Sequence, residues 1–306
     1  MSILIDKNTR VAVLGMTGRQ GSFHTRLMRE EGTNVVAGVV PGKGGQNFEG
    51  IPVYDTILEA RLRQDVNACV VFVPAPAAAQ SIMNAVDAGI EVISAITDGI
   101  PIHDMLKVME TLKGTHTRLI GPNTPGLITP KQAKLGIMPS RAYKPGCIAV
   151  MSRSGSLSYE VCDELSKANL GQTTVVGIGG DRIPGTTFAD LLPLFEADPE
   201  TKGIVIIGEI GGVDEERAAA IIKESCLKPV VAIIAGESAP LGKAMGHASA
   251  IITQGKGTFK SKIDAFQNAG VKVAHTPKCL VQTLFGLLQE KSRESANHRC
   301  GARQDT

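Results

Sequence analysis

A chain of 306 residues is about twice the usual domain size, so two domains, each with a sizeable core, are expected. Its 32 Lys and Arg stand against 30 Asp and Glu, a formal charge of +2 that is scattered along the chain, and aromatics make up 4% with no Trp, which leaves neither a basic stripe nor stacking rings for nucleic acid. A hydrophobic content of 43% excludes disorder, and no apolar run reaches the ~18 residues of a membrane helix.

The opening Met1-Ser2-Ile3-Leu4-Ile5-Asp6-Lys7 has neither the build of a signal peptide nor an Arg-rich transit character, so a cytoplasmic location is expected. Short β-branched runs then alternate with amphipathic stretches. This βαβα rhythm implies an α/β fold of parallel sheets covered by helices on both faces. In the first half, strands are predicted over 10–16, 34–40, 68–73, 91–96 and 118–120.

The first of these runs into Gly15-Met16-Thr17-Gly18-Arg19-Gln20-Gly21 and then a helix. Spaced GxxGxxG, the glycines let backbone approach a phosphate while the helix N-terminus offers open N–H groups; a structural tight turn is the plain alternative. A dinucleotide fold normally ends its second strand on an acid that holds the ribose diol, whereas this strand ends Val40-Pro41-Gly42-Lys43-Gly44-Gly45. Lys43 suits a ligand with extra phosphate near its adenosine, such as coenzyme A or NADP; otherwise it is a solvated loop lysine. The strand over 91–96 closes on Ile96-Thr97-Asp98-Gly99, where Thr97 and Asp98 either contact the same ligand or cap the helix expected near Ile102.

Residues 124–146 hold Pro, Gly, Lys and isolated apolars without a sustained period. They read as the connection between a domain over 1–123 and a second over 147–291. The second half repeats the rhythm, with strands over 147–151, 173–178, 203–207, 229–235 and 271–274 and helices over 156–168 and 214–224. The final 292–306 are polar and aperiodic, a tail expected to fray.

Ser152-Arg153-Ser154-Gly155-Ser156 places small hydroxylated residues at a strand-to-helix turn, so Ser154 and Gly155 form either a second phosphate cradle or an ordinary N-cap. Glu209 stands among glycines in Gly208-Glu209-Ile210-Gly211-Gly212, either orienting a catalytic group or solvated. His247 lies in the small-residue loop 242–250, which gives its ring room to approach a bulky partner and to move. His24, His103, His116, His275 and His298 have no convergent partners in the sequence and read as structural or solvated. Histidine phosphorylation needs a neutral imidazole as nucleophile, a carboxylate on the other ring nitrogen and helix N-termini for the phosphoryl charge. His247, Glu209 and the Ser154-Gly155 turn offer one candidate for each role, and with no Walker loop the nucleotide needs another site. The six cysteines show no CxxC and no zinc-type spacing, so free buried thiols in a reducing compartment, and no metal site, are expected.

Together these segments resemble the α subunit of the succinate–CoA ligase (succinyl-CoA synthetase) family over residues 1–290. The resemblance rests on MSILIDKNT at the start, PGKGG at 41–45, SRSG at 152–155, GIGGD at 177–181, GEIGG at 208–212 and GHASAII at 246–252. It implies an N-terminal Rossmann-like CoA-binding domain followed by a flavodoxin-like doubly wound domain. CoA would be held by Thr17, Gly18, Arg19, Gln20, Lys43 and the Ile96-Thr97-Asp98 turn. His247 would be the transient phosphohistidine with Glu209 on its ring, and Tyr159 would border the carboxylate pocket. The resemblance also implies a β subunit whose ATP-grasp domain carries ATP or GTP and Mg²⁺, an αβ or (αβ)₂ assembly, and the reaction of succinate, CoA and nucleoside triphosphate to succinyl-CoA. The chain departs from the family pattern at Thr124, where GPNCPG has Cys, at Asp98, where Glu is usual, and at Ser249, where GHAGA has Gly. Thr124, ITDGIP at 96–101 and the segment 135–139 resemble the malate–CoA ligase branch, which makes malate the alternative acid. GGDRIPG at 179–185 resembles citryl-CoA-forming relatives. Two readings from other classes are an NADP-dependent two-domain dehydrogenase and a CoA-binding regulatory module. The absent acid after Val40 argues against NAD, and the intact His247 and Glu209 argue against a module without catalysis.

Overall fold

The computed structural model describes residues 2–240, 245–252 and 256–301, with side chains described through residue 294. Strand β1 (Arg10–Leu14) leads through the glycine turn into α1 (Arg19–Glu30). There follow β2 (Asn34–Val39), β3 (Asn47–Phe48), β4 (Ile51–Tyr54), α2 (Ile57–Gln64), β5 (Ala68–Val71), α3 (Ala75–Asp87), β6 (Val92–Ala95), α4 (Ile102–Leu112) and β7 (Arg118–Ile120). These strands form one seven-stranded sheet in the order β3-β4-β2-β1-β5-β6-β7. Every pair is parallel except β3 with β4. Without β3 this is the Rossmann order, and its reversal between β1 and β5 opens a crevice at the strand carboxyl ends. Strands β5 and β6 are buried at every position, as a sheet covered on both faces requires.

The second half runs β8 (Gly126–Thr129), β9 (Ala133–Gly136), β10 (Pro145–Ser152), α5 (Gly155–Lys167), β11 (Gln172–Gly177), α6 (Phe188–Ala197), β12 (Gly203–Glu209), α7 (Asp214–Ser225), β13 (Val230–Ala235), α8 (Phe259–Asn268), β14 (Lys272–Ala274) and α9 (Pro277–Gly301), and its strands form the second sheet. Its order is β14-β13-β12-β10-β11-β8-β9. The run β11-β10-β12-β13-β14 is parallel and has the flavodoxin-like order, with its reversal between β10 and β12.

Two sequence expectations are corrected. The segment 124–146 is not a bare connection: β8 and β9 form an antiparallel hairpin that extends the second sheet beyond β11. Both strands are buried at all four positions, so no alternation marks them. Gly126 and Gly136 let their backbones touch, since a Cβ on Gly126 would meet the Leu135 carbonyl oxygen at 1.9 Å. The tail over 292–306 does not fray at once, because α9 continues through Gly301. Residues 291–294 are exposed on every side and show no apolar stripe, while their Lys, Ser, Arg and Glu still favour helix over coil once α9 has nucleated. The remainder of that expectation, 302–306, lies outside the described residues.

The two sheets share one buried cluster, which runs from Val11, Val13 and Val70 through Leu127 and Leu135 to Val176 and Ile206. At the carboxyl ends, backbone bonds tie the halves together, Gly185 N–H to the Gly121 carbonyl at 2.8 Å and Gly180 N–H to the Asn123 carbonyl at 3.1 Å, while Asn123 N–H donates in turn to the Thr97 carbonyl at 2.9 Å.

Candidate active site

The glycine spacing has a steric origin. Gly15 takes φ +81, and a Cβ on Gly21 would meet the Gly15 carbonyl oxygen at 2.2 Å, so helix and strand can cross this closely only at glycines. Gly18 begins α1 with no side-chain cap, and the first turn carries no acid, which leaves N–H donors and the positive end of the helix open to an anion. Thr17 is part-buried; Gly18, Arg19 and Gln20 are exposed at this mouth. Lys43, after β2, reaches back to donate from Nζ to Thr17 Oγ1 at 2.9 Å. The lysine is therefore fastened over the glycine loop rather than solvated alone.

At the end of β6 the Thr97 hydroxyl donates to the Val73 carbonyl at 2.7 Å. Helix α4 is preceded by Pro101 and has no side-chain cap, so capping does not account for Thr97 and Asp98. Ile96 is part-buried and Asp98 is exposed at the same carboxyl edge.

In the second domain Ser154 is the N-cap of α5, its Oγ accepting from Leu157 N–H at 3.3 Å. Ser152 locks the turn, donating to the Ser154 carbonyl at 2.7 Å and accepting from Ser154 N–H at 3.0 Å. The hydroxyl of Ser154 thus serves the helix, and the anion-facing donors of this turn are backbone. Tyr159, one turn along α5, brings its hydroxyl within 3.7 Å of where a Gly155 Cβ would stand. Burial pushes its phenol pKa up.

Glu209 ends β12 at the topological reversal and is only 5% exposed, which removes the solvated alternative. His247 Nδ1 lies 2.6 Å from Glu209 Oε2. Hydrogen bonding to Glu209 raises the His247 pKa above 6.5, with burial and Arg153 opposing; the Glu209 charge and Asp98, from the other domain, add to the rise. The ring lies against the Gly180 backbone, where a Cβ would meet its Cγ at 2.3 Å. Residues 242–244 of the small-residue loop lie outside the described residues.

The sequence reading missed the groups that hold this pair. Ser249 Oγ is 2.7 Å from Glu209 Oε1 and 2.9 Å from the Gly180 carbonyl. Arg153 is buried, with Nε 3.4 Å from Glu209 Oε1 and Nη1 3.2 Å from Asp214 Oδ2. Beneath them the Glu209 N–H donates to Glu215 Oε1 at 3.0 Å, and Glu215 pairs with the fully buried Lys262. Burial raises the Glu215 carboxyl while Lys262 and Arg153 pull it back. The adjacent SRSG and GHASA segments mark where these partners lie but not that they meet.

The remaining histidines stay outside. His24 stacks on Phe72, His103 and His116 are exposed, exposed His275 lies 4.0 Å from Glu237, and the His298 side chain lies outside the described residues. The described cysteines are free, but only Cys69 and Cys162 are buried and Cys279 is exposed, which corrects the expectation of uniformly buried thiols.

Residues 6–99 match the CoA binding domain family and residues 151–272 the CoA-ligase family. The ADP-forming succinate–CoA ligase subunit alpha 2 of Archaeoglobus fulgidus is 55% identical over 288 residues, 94% of this chain and 100% of that one. The chain belongs to the succinate–CoA ligase α-subunit family. The corresponding ADP-forming α subunit of a Staphylococcus epidermidis strain is 53% identical over 93% of this chain and 94% of its own. Among solved structures, the ATP citrate lyase of Methanothrix soehngenii in complex with citrate and coenzyme A superposes with a TM-score of 0.84 at 28% identity, covering 95% of this chain. This chain spans 52% of that longer one. Among the described residues no helix is long and apolar enough to cross a membrane.

Proposed function

We propose that this chain is the CoA-binding, phosphohistidine-bearing subunit of a ligase that forms succinyl-CoA from succinate, CoA and ATP. The observation that carries it is the His247–Glu209 pair, 2.6 Å apart at the reversal of one sheet, with Asp98 from the carboxyl edge of the other close enough to act on its charge. Glu209 accepts from Nδ1–H, so the lone pair sits on Nε2, free to act as nucleophile. Nε2 attacks the γ-phosphorus, an N–P bond forms and the P–O bond to the nucleoside diphosphate breaks. A succinate carboxylate oxygen then takes the phosphoryl group as the N–P bond breaks. Finally the CoA sulfur attacks the acyl carbon, the C–O bond breaks, inorganic phosphate leaves and the thiol proton passes to it or to water. Splitting the transfer lets one imidazole serve two sites. The backbone donors at the start of α5 suit the charge on the transferring group.

CoA phosphates fit the open N-terminus of α1 at Thr17, Gly18, Arg19 and Gln20 beneath Lys43, with Ile96, Thr97 and Asp98 bordering the crevice toward His247. Tyr159 borders the pocket for the acid. The nucleotide and Mg²⁺ belong on a β subunit with an ATP-grasp domain, in an αβ or (αβ)₂ assembly, in the cytoplasm. The relatives' names favour succinate over malate and ATP over GTP. The test is incubation of the chain, paired with its β subunit, with ATP labelled at the γ-phosphate. Acid-labile, alkali-stable label on the wild-type chain, absent from His247→Asn and discharged by succinate with CoA, is the expected result. Label that persists in His247→Asn overturns the mechanism.

A further inference from the structure

We propose that Ser249 is a positioning residue for His247: hydroxyl and imidazole, carried on one loop, grip the two oxygens of a single carboxylate, Glu209. The inference rests on the reading of His247 as the phosphoryl carrier. Oε2 meets the imidazole at 2.6 Å and Oε1 meets the hydroxyl at 2.7 Å. The Ser249 N–H donates to the Gly180 carbonyl at 3.3 Å, and Oγ stands 2.9 Å from the same carbonyl, so the backbone bond holds the residue while its one hydroxyl proton serves Oε1. Serine is thereby anchored to the backbone strip on which the imidazole rests.

Two consequences follow from elementary chemistry. A carboxylate held at one oxygen pivots about its own bond, and held at both it does not, so Ser249 fixes the direction of Oε2 and through it the aim of Nε2. The hydroxyl also takes part of the carboxylate charge that the imidazole would otherwise draw on. Among the described residues, the charged groups that act on His247 are Glu209 from β12, Arg153 from the end of β10 and Asp98 from the end of β6. Glu209 and Asp98 favour the imidazolium and Arg153 opposes it. Arg153 Nε approaches Oε1 at 3.4 Å but is not aligned to hydrogen-bond there, which leaves the Ser249 hydroxyl as the aligned side-chain donor on that oxygen among the described residues. Ser249 therefore acts with Arg153 to keep the ring neutral and nucleophilic.

The experiment follows single-turnover labelling of the chain, paired with its β subunit, across pH for wild type, Ser249→Ala and Ser249→Thr, with thermal melting in parallel. Ser249→Ala is expected to label about tenfold more slowly at neutral pH, with its acid limb moved upward and the KM for CoA unchanged. Ser249→Thr, which keeps the hydroxyl, is expected to restore both rate and limb. Ser249→Gly guards against a folding loss in either variant and is expected to shift as Ala does. A Ser249→Ala profile that superimposes on wild type, or a loss equal at every pH that Thr does not rescue, overturns the proposal alone. Absence of label from the wild-type chain overturns the ligase reading and the proposal with it.

Discussion

The proposed chemistry of His247 depends on which of its nitrogens carries the proton, and Glu209, 2.6 Å from Nδ1, is placed to decide that. Glutamine at 209 keeps the shape but offers an amide that can hold either tautomer, so about a hundredfold loss of phosphohistidine formation is expected. The pH dependence has a definite sign. The folded pKa of His247 lies above 6.5, raised first by the bond to Glu209; the imidazolium lacks the attacking lone pair, so wild-type labelling falls as pH drops through that raised value. In Glu209→Gln the main raising cause is gone while burial and Arg153 remain, so the acid limb moves to lower pH. Labelling rates across pH check this, and a limb that stays in place would separate Glu209 from the titration. Small residues around His247 and Glu209 drew attention to both, but context alone left a solvated Glu209 open, and it was the resemblance of GEIGG and GHASAII to the family that singled out the pair which the structure brings within 2.6 Å. Ser249 and Arg153 were not legible: the first stood out only as a departure from the family pattern, the second only as part of the turn over 152–156, and both acquire a role only by meeting Glu209 across 40 and 56 residues of chain.

Among the elements, β12 carries the carboxylate that meets His247, and its C-terminal end is held from below. The Glu209 N–H donates to Glu215 on α7, and Glu215 is neutralised by Lys262 on α8, which also reaches Glu216 and the Gly212 carbonyl at 3.3 Å each. Neither Glu215 nor Lys262 has any exposed side-chain surface. A buried pair contributes little net stability while intact, but removing one partner leaves an uncompensated charge. Lys262→Met is thus expected to lower unfolding stability by about 3–5 kcal/mol, and Glu215→Gln combined with Lys262→Met to recover part of that loss. Denaturant unfolding of the two variants measures it, and a single variant as stable as wild type would show that the pair does not brace β12. Central parallel strands such as β5, β12 and β13 were legible because double burial writes them as nearly unbroken apolar runs. The β8–β9 hairpin was not: it is short, buried at every position and punctuated by Pro and Gly, so its pairing depends on the β11 edge that receives it and not on any local period.

For the whole molecule, the proposed reaction requires that a thiol bound in one domain reach an acyl group formed beside His247 in the other. The sheets meet at their carboxyl ends, where Gly185 lies against Leu119 of β7 and the Thr186 hydroxyl donates to the Leu119 carbonyl at 2.7 Å. A Cβ on Gly185 would stand 2.5 Å from both Cβ and Cγ of Leu119. That is too close for either atom to remain in place, so Gly185→Ala wedges β7 away from the second domain. The two half-reactions respond differently to such a wedge. On the proposed mechanism, phosphorylation of His247 uses groups of the second domain together with a nucleotide on the β subunit, so labelling is expected to proceed at close to the wild-type rate. Thioester formation needs the crevice between β1 and β5 held in register with His247, and an ångström of displacement costs on the order of a hundredfold. The expected outcome is near-normal label that succinate and CoA discharge slowly, with a raised KM for CoA. Rapid-quench measurement of the two steps separates them. Equal slowing of both would mean that the interface holds the histidine itself, whereas loss confined to the second step means that it sets the distance between the thiol and the phosphorylated acid.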